Sequence, residues 1–549
     1  MLFRFLFASA LTTACVFAQL SSFPKPSYFR ETFIPPSTTV ELKGPVRLQD
    51  FVVGGKLELS LKSYLELVMA NNTDIQIQML TLETPKNAIM RAMAPWDPLA
   101  QASFTSTRTK TPSTDALQGA STLESLSQPA RFSFQQTLDT GTQYTVSFSG
   151  SKSTTNSGFT NFNPALNSSF GINFTQPLIK NRGRYVNRLN LMMARSRYRK
   201  SEYDLRNTLT QLVSAAENAY WDVVQAQQDL QVQQSARDLA AESLKRSQRE
   251  LELGALSPLD IYNPQQQLAT AELNVSQAKF VLAQREDALR KQMGADLSPD
   301  IRKLPITLTE TVAPPTETAV IDPEEEVQKA LTTRPDLKSA MQNLDVDDLS
   351  ISQAKNGLLP DLSLTASYTT QGRGGIFYQR TNVFDTTGAT SQILTVTPGG
   401  LGDSFSQMFG FGFPVYAFGL NLRLPIKSHS ASADMADALV AKRRDALEVR
   451  TVRQQVRLDV LNAVTNVESS RASVKLAIVA RDFAQKYLDA ENKKYELGTE
   501  TVFFVLQAQN ALVQAESAVV QNSVNLRRNM LNLLSRTGEL LDQRGIVIQ

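Results

Sequence analysis

Ala236-Arg237-Asp238 and Glu252-Leu253-Gly254 return 244 positions later as Ala480-Arg481-Asp482 and Glu496-Leu497-Gly498, and Gly294 returns as Gly538. The stretch from Leu212 to Gly294 slides onto Val456 to Gly538 without a gap. It carries Gln265, Leu268, Ala271, Glu272, Val275, Gln277, Leu282 and Leu289 unchanged onto Gln509, Leu512, Ala515, Glu516, Val519, Gln521, Leu526 and Leu533. An earlier match has a displacement of 262, with Asp74, Ala92 and Pro98 falling on Asp336, Ala354 and Pro360. The chain is an internal duplication, and a repeat of this length decides the architecture before any single motif does. Because the displacement falls from 262 to 244, the middle segment of the second copy is 18 residues shorter than that of the first.

Each matched block carries a coiled-coil seam. Leu205, Leu209, Leu212, Ala216, Ala219, Val223, Ala226 and Leu230 follow at alternating spacings of four and three, the rhythm that keeps one face of a helix against a partner. The second copy repeats it at Val456, Val460, Ala463, Val467 and Val474, interrupted by Arg453 and Ser470. Beyond the repeated glycine, Leu268, Ala271, Val275, Ala278, Leu282 and Leu289 resume it. A helix from about Arg184 to Leu253 runs for about 100 Å at 1.5 Å per residue, more than a compact domain needs. Gly254 and Gly498 end the first long helix of each copy. Ser257 with Asp260, and Thr499 with Thr501, offer caps for the next, so each copy is expected to fold back as a helical hairpin.

Between the arms the period changes to two. Leu362, Leu364, Ala366 and Tyr368 alternate with Ser363, Thr365, Ser367 and Thr369, and Tyr416, Phe418, Leu420, Leu422 and Leu424 alternate with small or polar residues. The first copy shows Phe132 and Phe134, then Tyr144, Val146 and Phe148, then Phe170, Ile172 and Phe174, interleaved in the same way. These are amphipathic strands. One aromatic and one polar face is what a membrane barrel requires, and an ordinary β-sandwich shows the same alternation. Context favours the barrel, because one chain has too few strands to close a pore and the rest must come from other copies. Residues 130–152 read as a hairpin turning at Asp139-Thr140-Gly141. Residues 111–128, 151–167 and 371–412, rich in Ser, Thr, Gly and Asn, read as surface loops.

Composition removes other classes. Lys plus Arg number 56 against 53 Asp plus Glu, dispersed along the chain, so nucleic acid is not an expected partner. His429 is the only histidine and Cys15 the only cysteine, which leaves no material for a histidine-based triad or a usual Cys/His metal cluster. No enzyme activity, cofactor or metal is expected. The acidic run Asp322-Pro323-Glu324-Glu325-Glu326 reads as a helix start favoured by the dipole. At the front, Arg4 followed by a short apolar stretch and Val16-Phe17-Ala18 reads as a secretory signal cleaved after Ala18, which removes Cys15. The alternative is lipidation at Cys15, although Thr12 stands where a lipoprotein box usually has an aliphatic residue.

Three groups of residues then resemble one known family. Residues 57–75, ending Ala70-Asn71-Asn72-Thr73-Asp74-Ile75, are similar to the opening helix of TolC-like outer-membrane efflux proteins. Gln176-Pro177-Leu178-Ile179-Lys180-Asn181-Arg182-Gly183 and Leu424-Pro425-Ile426 resemble the strand-to-helix junctions of that family, and residues 254–294 and 498–538 its return helices. The resemblance implies a homotrimer whose protomers share one barrel in outer-membrane lipid, continued through the periplasm by a helical tunnel. It also implies a periplasmic adaptor (a membrane fusion protein) and an inner-membrane transporter docked at hairpin tips formed by Gly254 and Gly498. By position, Tyr495 and Asp260 match a phenol-to-carboxylate link that holds the tip closed in well-described relatives. A second link is not carried over, since Glu500 stands where they have Arg and Leu259 where they have Thr. Phe504 and Gln507 occupy the places of two acidic aperture residues, so Glu500, Phe503, Phe504 and Gln507 are expected to line a largely neutral constriction. Phe503 and Phe504 can equally be core residues.

The expected fold is mainly α with membrane β: duplicated long antiparallel coiled-coil helices, plus amphipathic strands contributing to a trimeric barrel. Its segments are a signal (1–18), an extended segment (19–56), equatorial helices (57–97), barrel strands (98–180), a helical hairpin (181–297) and a linker (298–322). The second copy supplies equatorial helices (323–359), strands (360–427), a hairpin (428–538) and a tail (539–549). A periplasmic structural coiled-coil scaffold explains the heptads too, but leaves the strands and the junction prolines without a role.

Overall fold

The computed structural model describes residues 51–53, 55–112, 121–158, 160–254, 257–295, 299–310, 321–380 and 393–546. The expected signal sequence, Cys15 and Ala18 lie outside them. In the first copy, β1 (Val52–Val53) and β2 (Lys56–Leu59) precede α1 (Leu61–Asn71), α2 (Thr73–Leu80) and α3 (Glu83–Met93). Five strands follow: β3 (Leu99–Phe104), β4 (Thr107–Pro112), β5 (Thr122–Thr137), β6 (Gln143–Thr155) and β7 (Phe162–Pro177). Then come α4 (Arg184–Asn187), α5 (Leu189–Glu252), α6 (Tyr262–Gln292), α7 (Pro299–Arg302) and β8 (Ile306–Leu308). The second copy contains α8 (Pro323–Thr333), α9 (Pro335–Gly357), β9 (Asp361–Arg380), β10 (Ile393–Thr397), α10 (Leu401–Phe409) and β11 (Pro414–Arg423). It ends with α11 (His429–Glu496), α12 (Val502–Thr537) and α13 (Leu540–Gln543).

The heptad residues do what their spacing predicts. Leu205, Leu209, Ala216, Val223 and Ala226 are buried on α5, as are Val456, Val460, Ala463, Val467 and Val474 on α11. At 64 and 68 residues, these helices are each about 100 Å long. Glycine closes all four long helices in the left-handed conformation: Gly254, Gly294, Gly498 and Gly538 have φ of 73, 67, 72 and 80°. After α11, the amide of Thr499 bonds the Lys494 carbonyl and that of Gly498 the Tyr495 carbonyl, both at 3.0 Å, a complete Schellman cap. The Thr499 hydroxyl donates to the same Lys494 carbonyl at 2.9 Å, so it closes the helix behind it instead of capping the one ahead. Thr501 stands at the N-cap of α12 without a side-chain bond. Ser257 accepts from the Leu259 amide at 3.3 Å, and the N-cap of α6 is Ile261, so neither Ser257 nor Asp260 caps that helix.

The two displacements meet in one contact. Asn72, between α1 and α2, accepts from the amides of Asp74 and Ile75, while its Nδ2 donates to the Gln292 carbonyl at 2.8 Å. Gly294 packs so tightly there that a Cβ would stand 2.3 Å from the Asn71 carbonyl oxygen. In the second copy Gly538 abuts the break between α8 and α9, where a Cβ would stand 3.2 Å from the Arg334 Cα. Thr333 and Arg334 are Asn71 and Asn72 moved by 262, and Gly538 is Gly294 moved by 244. Each copy thus seats its return helix in the notch of its own opening helices. Around these notches lie the two larger cores, one holding Tyr64, Leu67, Leu209, Tyr220 and Leu289, the other Val327, Val460, Val467 and Leu526. A third, small cluster of Leu488, Val505, Ala508 and Leu512 supports the tip of the second hairpin.

Strands β1, β2 and β8 make a small separate sheet, with β2 and β8 parallel, while the other eight form one antiparallel sheet in which β9, β7, β6 and β5 are consecutive neighbours. Its apolar residues share a face: Phe132 pairs with Phe148 and Phe148 with Phe170, Ile172 pairs with Tyr368, and Tyr368 with Tyr416. Within the expected loop at 371–412 the described residues are instead largely structured: β9 runs to Arg380, and β10 and α10 lie further on. Helix α10 lies on the apolar face. Ser404 and Met408 are fully buried, Phe148 and Phe405 rings are 5.9 Å apart, and Thr370 Oγ1 donates to the Met408 carbonyl at 2.9 Å. Glycine permits this approach, since a Cβ on Gly372 would stand 1.9 Å from the Ser404 carbonyl oxygen. The expected loops at 111–128 and 151–167 are likewise shorter, because β5 begins at Thr122, β6 continues to Thr155 and β7 begins at Phe162.

Candidate functional site

Two regions present unpaired chemistry: the ends of the helical hairpins and the two edges of the sheet. At the hairpin ends, α5 and α11 stop at the repeated Gly254 and Gly498, both with open space around the Cα. The side chains beyond them are apolar and exposed: Leu253 at 83%, Leu259 at 76% and Tyr262 in the first copy, Leu497 and Phe503 in the second. Water-facing Leu and Phe thus leave apolar surface exposed at both helix ends.

One turn before the glycines the two copies are tied together. The Tyr495 hydroxyl donates to the Glu250 carboxylate, and the Arg246 guanidinium lies over the Tyr495 ring, 5.1 Å from its centroid. Arg246 also pairs with Glu250 at 3.4 Å and with Glu496 at 3.6 Å. Burial, reinforced by the Glu250 carboxylate, pushes the Tyr495 phenol up to about 12, so it remains a donor at neutral pH. The expected partner, Asp260, is not brought to Tyr495: it sits exposed in the turn before α6, its amide bonded to the Ser257 carbonyl at 3.0 Å. The reason is phase along the helix. The phenol points at the flank of α5 one turn before its end, where Glu250 is, and not past the end, where the turn is. Glu250 and Arg246 were legible only by aligning the two helix ends, since Glu250 and Tyr495 precede their glycines by nearly the same distance.

Beyond the second tip, Phe503 and Phe504 start α12 with their rings 5.6 Å apart and edge to face. Both are exposed, Phe503 at 56% and Phe504 at 39%, and neither joins a core cluster. Gln507, one turn on, is also exposed, and Glu500 is half-buried. The four expected aperture residues therefore lie together around the start of one helix, with a single carboxylate among them.

At the sheet, β3 and β4 on one side and β11 and β10 on the other are edge strands, and Phe104, Tyr416, Phe418 and Leu420 on them are exposed. Pro177 ends β7, paired with Ser363, and Asn181 then crosses to Asn356 by two hydrogen bonds of 2.9 and 2.6 Å. Pro425 lies two residues after the end of β11 and is exposed. Among the described residues no helix is long and apolar enough to cross a membrane, and no group of three or more acidic, His or Cys side chains could hold a metal.

Comparison with known proteins agrees with this arrangement. The model of the outer membrane efflux protein family matches residues 142–295 and 327–539. Outer membrane protein TolC of Vibrio cholerae is 24% identical over 348 residues, covering 63% of this chain and 70% of that protein. Outer membrane efflux protein BepC of Brucella suis is 23% identical, covering 56% of this chain and 58% of that protein. Among solved structures, CusC has a TM-score of 0.61 at 15% identity, over 90% of this chain and 97% of that one. The Campylobacter jejuni CmeC channel has a TM-score of 0.58 at 16% identity, over 92% and 91%. These folds combine a helical tunnel with a barrel, and the family is one of channels and not of enzymes. It places the chain in the outer membrane with its helices in the periplasm, which removes the soluble scaffold reading. With a family model matching both copies of its duplication, the chain belongs to the outer membrane efflux protein family.

Proposed function

We propose that three copies of this chain form a passive conduit from periplasm to exterior, the outer-membrane channel of a tripartite efflux or type I secretion system. One observation carries the reading: a sheet with one apolar face and two unpaired edges leads, through Pro177 and Pro425, directly into helices of 64 and 68 residues. Open edges are not tolerated in hydrocarbon, so other copies must satisfy them. The apolar face with α10 on it meets lipid, where Leu401, Phe409, Phe411 and Phe413 stay exposed for the purpose. The helices enclose the periplasmic passage. The exposed leucines and aromatics of the two tips receive a periplasmic adaptor, which couples the conduit to an inner-membrane transporter. The Tyr495–Glu250 link, with Arg246 stacked on it, restrains the tip at rest.

The full-length protein should purify from outer membranes as a detergent-stable trimer and conduct ions in planar bilayers. A monomer from the soluble periplasmic fraction would end the channel reading. Because Phe503, Phe504 and Gln507 leave Glu500 as the single carboxylate among the four aperture residues, cation preference should be weak. Rings of carboxylates focus cations, so strong cation selectivity blocked by multivalent metal ions would place the constriction elsewhere.

A further inference from the structure

The two copies do not contribute equally to the sheet. Strands β3 and β4 lie end to end along β5, pairing Leu99 with Gln135 through Phe104 with Ala130, then Thr107 with Ser127 through Pro112 with Thr122. Strands β11 and β10 lie end to end along β9 in the same way. The eight strands therefore fill six positions, β3/β4, β5, β6, β7, β9 and β10/β11, all antiparallel to their neighbours. Four positions come from the first copy and two from the second.

The duplication identifies the surplus. Pro98 and Pro360, related by the displacement of 262, stand just before β3 and β9, while Pro177 and Pro425 stand where β7 and β11 give way to the long helices. Thus β3/β4 corresponds to β9 and β7 to β11. The hairpin of β5 and β6 has no counterpart in the second copy.

That hairpin is built into the wall. Its strands pair with each other without a bulge from Ser125 with Thr155 to Thr137 with Gln143. Each also bonds an outer neighbour, β5 to β3/β4 and β6 to β7. The apolar face passes through it unbroken, from Ala102 to Phe132, Phe148 and Phe170. A segment folded into the lumen or over the mouth would have neither bonded flanks nor the lipid-facing alternation of its neighbours. Its turn is anchored at the strand-to-helix junction: the Thr140 carbonyl accepts from the Gly183 amide at 3.1 Å, and Asp139 pairs with Arg184 and Arg188. Gly141 fits against that junction so closely that a Cβ would stand 2.5 Å from the Asn181 carbonyl oxygen.

We infer that the β5–β6 hairpin is a barrel-widening insertion, and that the assembled channel has an eighteen-stranded barrel over a tunnel of twelve long helices. The inference rests on the trimeric channel proposed above. Six is an even number, so β3/β4 and β11 run in opposite directions. Three copies then close with the same antiparallel alternation that exists inside each. Two positions from every copy of the duplication would have given twelve strands. Because barrel diameter grows roughly linearly with strand number, eighteen make the exit about one and a half times as wide.

Electron cryomicroscopy of the detergent-purified full-length trimer tests this by counting strands in cross-section, with eighteen expected. A trimer with twelve, and density for residues 122–155 away from the wall, overturns the inference while leaving the channel standing. Failure to find any trimer overturns the channel reading along with it. In intact membranes, an Ala102→Cys/Phe132→Cys pair should oxidise to a disulfide within one chain, whereas Ala102→Cys/Phe170→Cys should not. The reverse result would place β3 directly beside β7 and remove the insertion from the wall.

Discussion

At the scale of single residues, the four repeated glycines share one backbone conformation but not one environment, and the difference sets their tolerance. An alanine in the left-handed region costs about 1–2 kcal/mol, and at Gly254 and Gly498, where nothing surrounds the Cα, that is the whole expected cost. At Gly294 the new Cβ also meets the Asn71 carbonyl at 2.3 Å, so Gly294→Ala should cost roughly twice as much, overpacking adding about 1–3 kcal/mol. Urea midpoints of the four alanine variants check the order. Tyr495 yields a second expectation. Tyr495→Phe removes the hydroxyl that bonds Glu250 and should raise resting conductance several-fold in planar bilayers, whereas Asp260→Asn should leave it unchanged. The phenol's raised pKa fixes the pH dependence. Below its ordinary value of about 10 the donor proton is fully in place, and the link is lost only as pH rises through about 12. Resting conductance should therefore carry no tyrosine titration between pH 6 and 9. Sequence reads Tyr495 onto the end of α11 but not its bond to Glu250, because helix length is written in the heptads whereas the phase between two helices is not.

At the scale of elements, legibility followed period. Helices α5 and α11 repeat their apolar residues over many turns, and strands β6, β7, β9 and β11 over five or more residues, so local physics and tertiary role agree. The hairpin turn at Asp139-Thr140-Gly141 was readable for the same reason, its residue types having few other uses. Helix α10 was not readable. It is nine residues of Leu, Gly, Asp, Ser, Phe, Gln and Met set among glycines, and its existence depends on glycines in another element, Gly372 and Gly374, that leave room for its backbone. Gly400 starts it, its amide donating to the Asp403 carboxylate at 2.7 Å. Gly372→Val should lift α10 from the sheet while the strands stay paired. Chymotrypsin should then cut between residues 401 and 413 in whole cells at least several-fold faster, with the trimer otherwise intact.

At the scale of the molecule, the two copies are joined by more than their sequence. Glu217 of α5 is 1% exposed and is held by Arg544, which follows α13, through bonds of 3.0 and 2.6 Å. Removing one member of a buried ion pair typically costs about 3–5 kcal/mol, because the other charge is left without compensation. Glu217→Ala or Arg544→Ala should each lower the melting temperature of the trimer clearly, and Glu217→Leu with Arg544→Leu should lower it less than either alone. The core around Tyr64 and Tyr220 has the same character, since Val524, Leu531, Leu540 and Leu541 of the second copy complete it. The order in which the chain leaves a translocon gives this arrangement a meaning. The first copy emerges with an unfinished core and an aromatic sheet face, and waits until α12 and α13 arrive some 300 residues after the residues they cover. A chain stopped before α12 is therefore expected to stay protease-sensitive over α1 and α5, the helices whose core α12 and α13 complete, which limited proteolysis of the truncated protein checks.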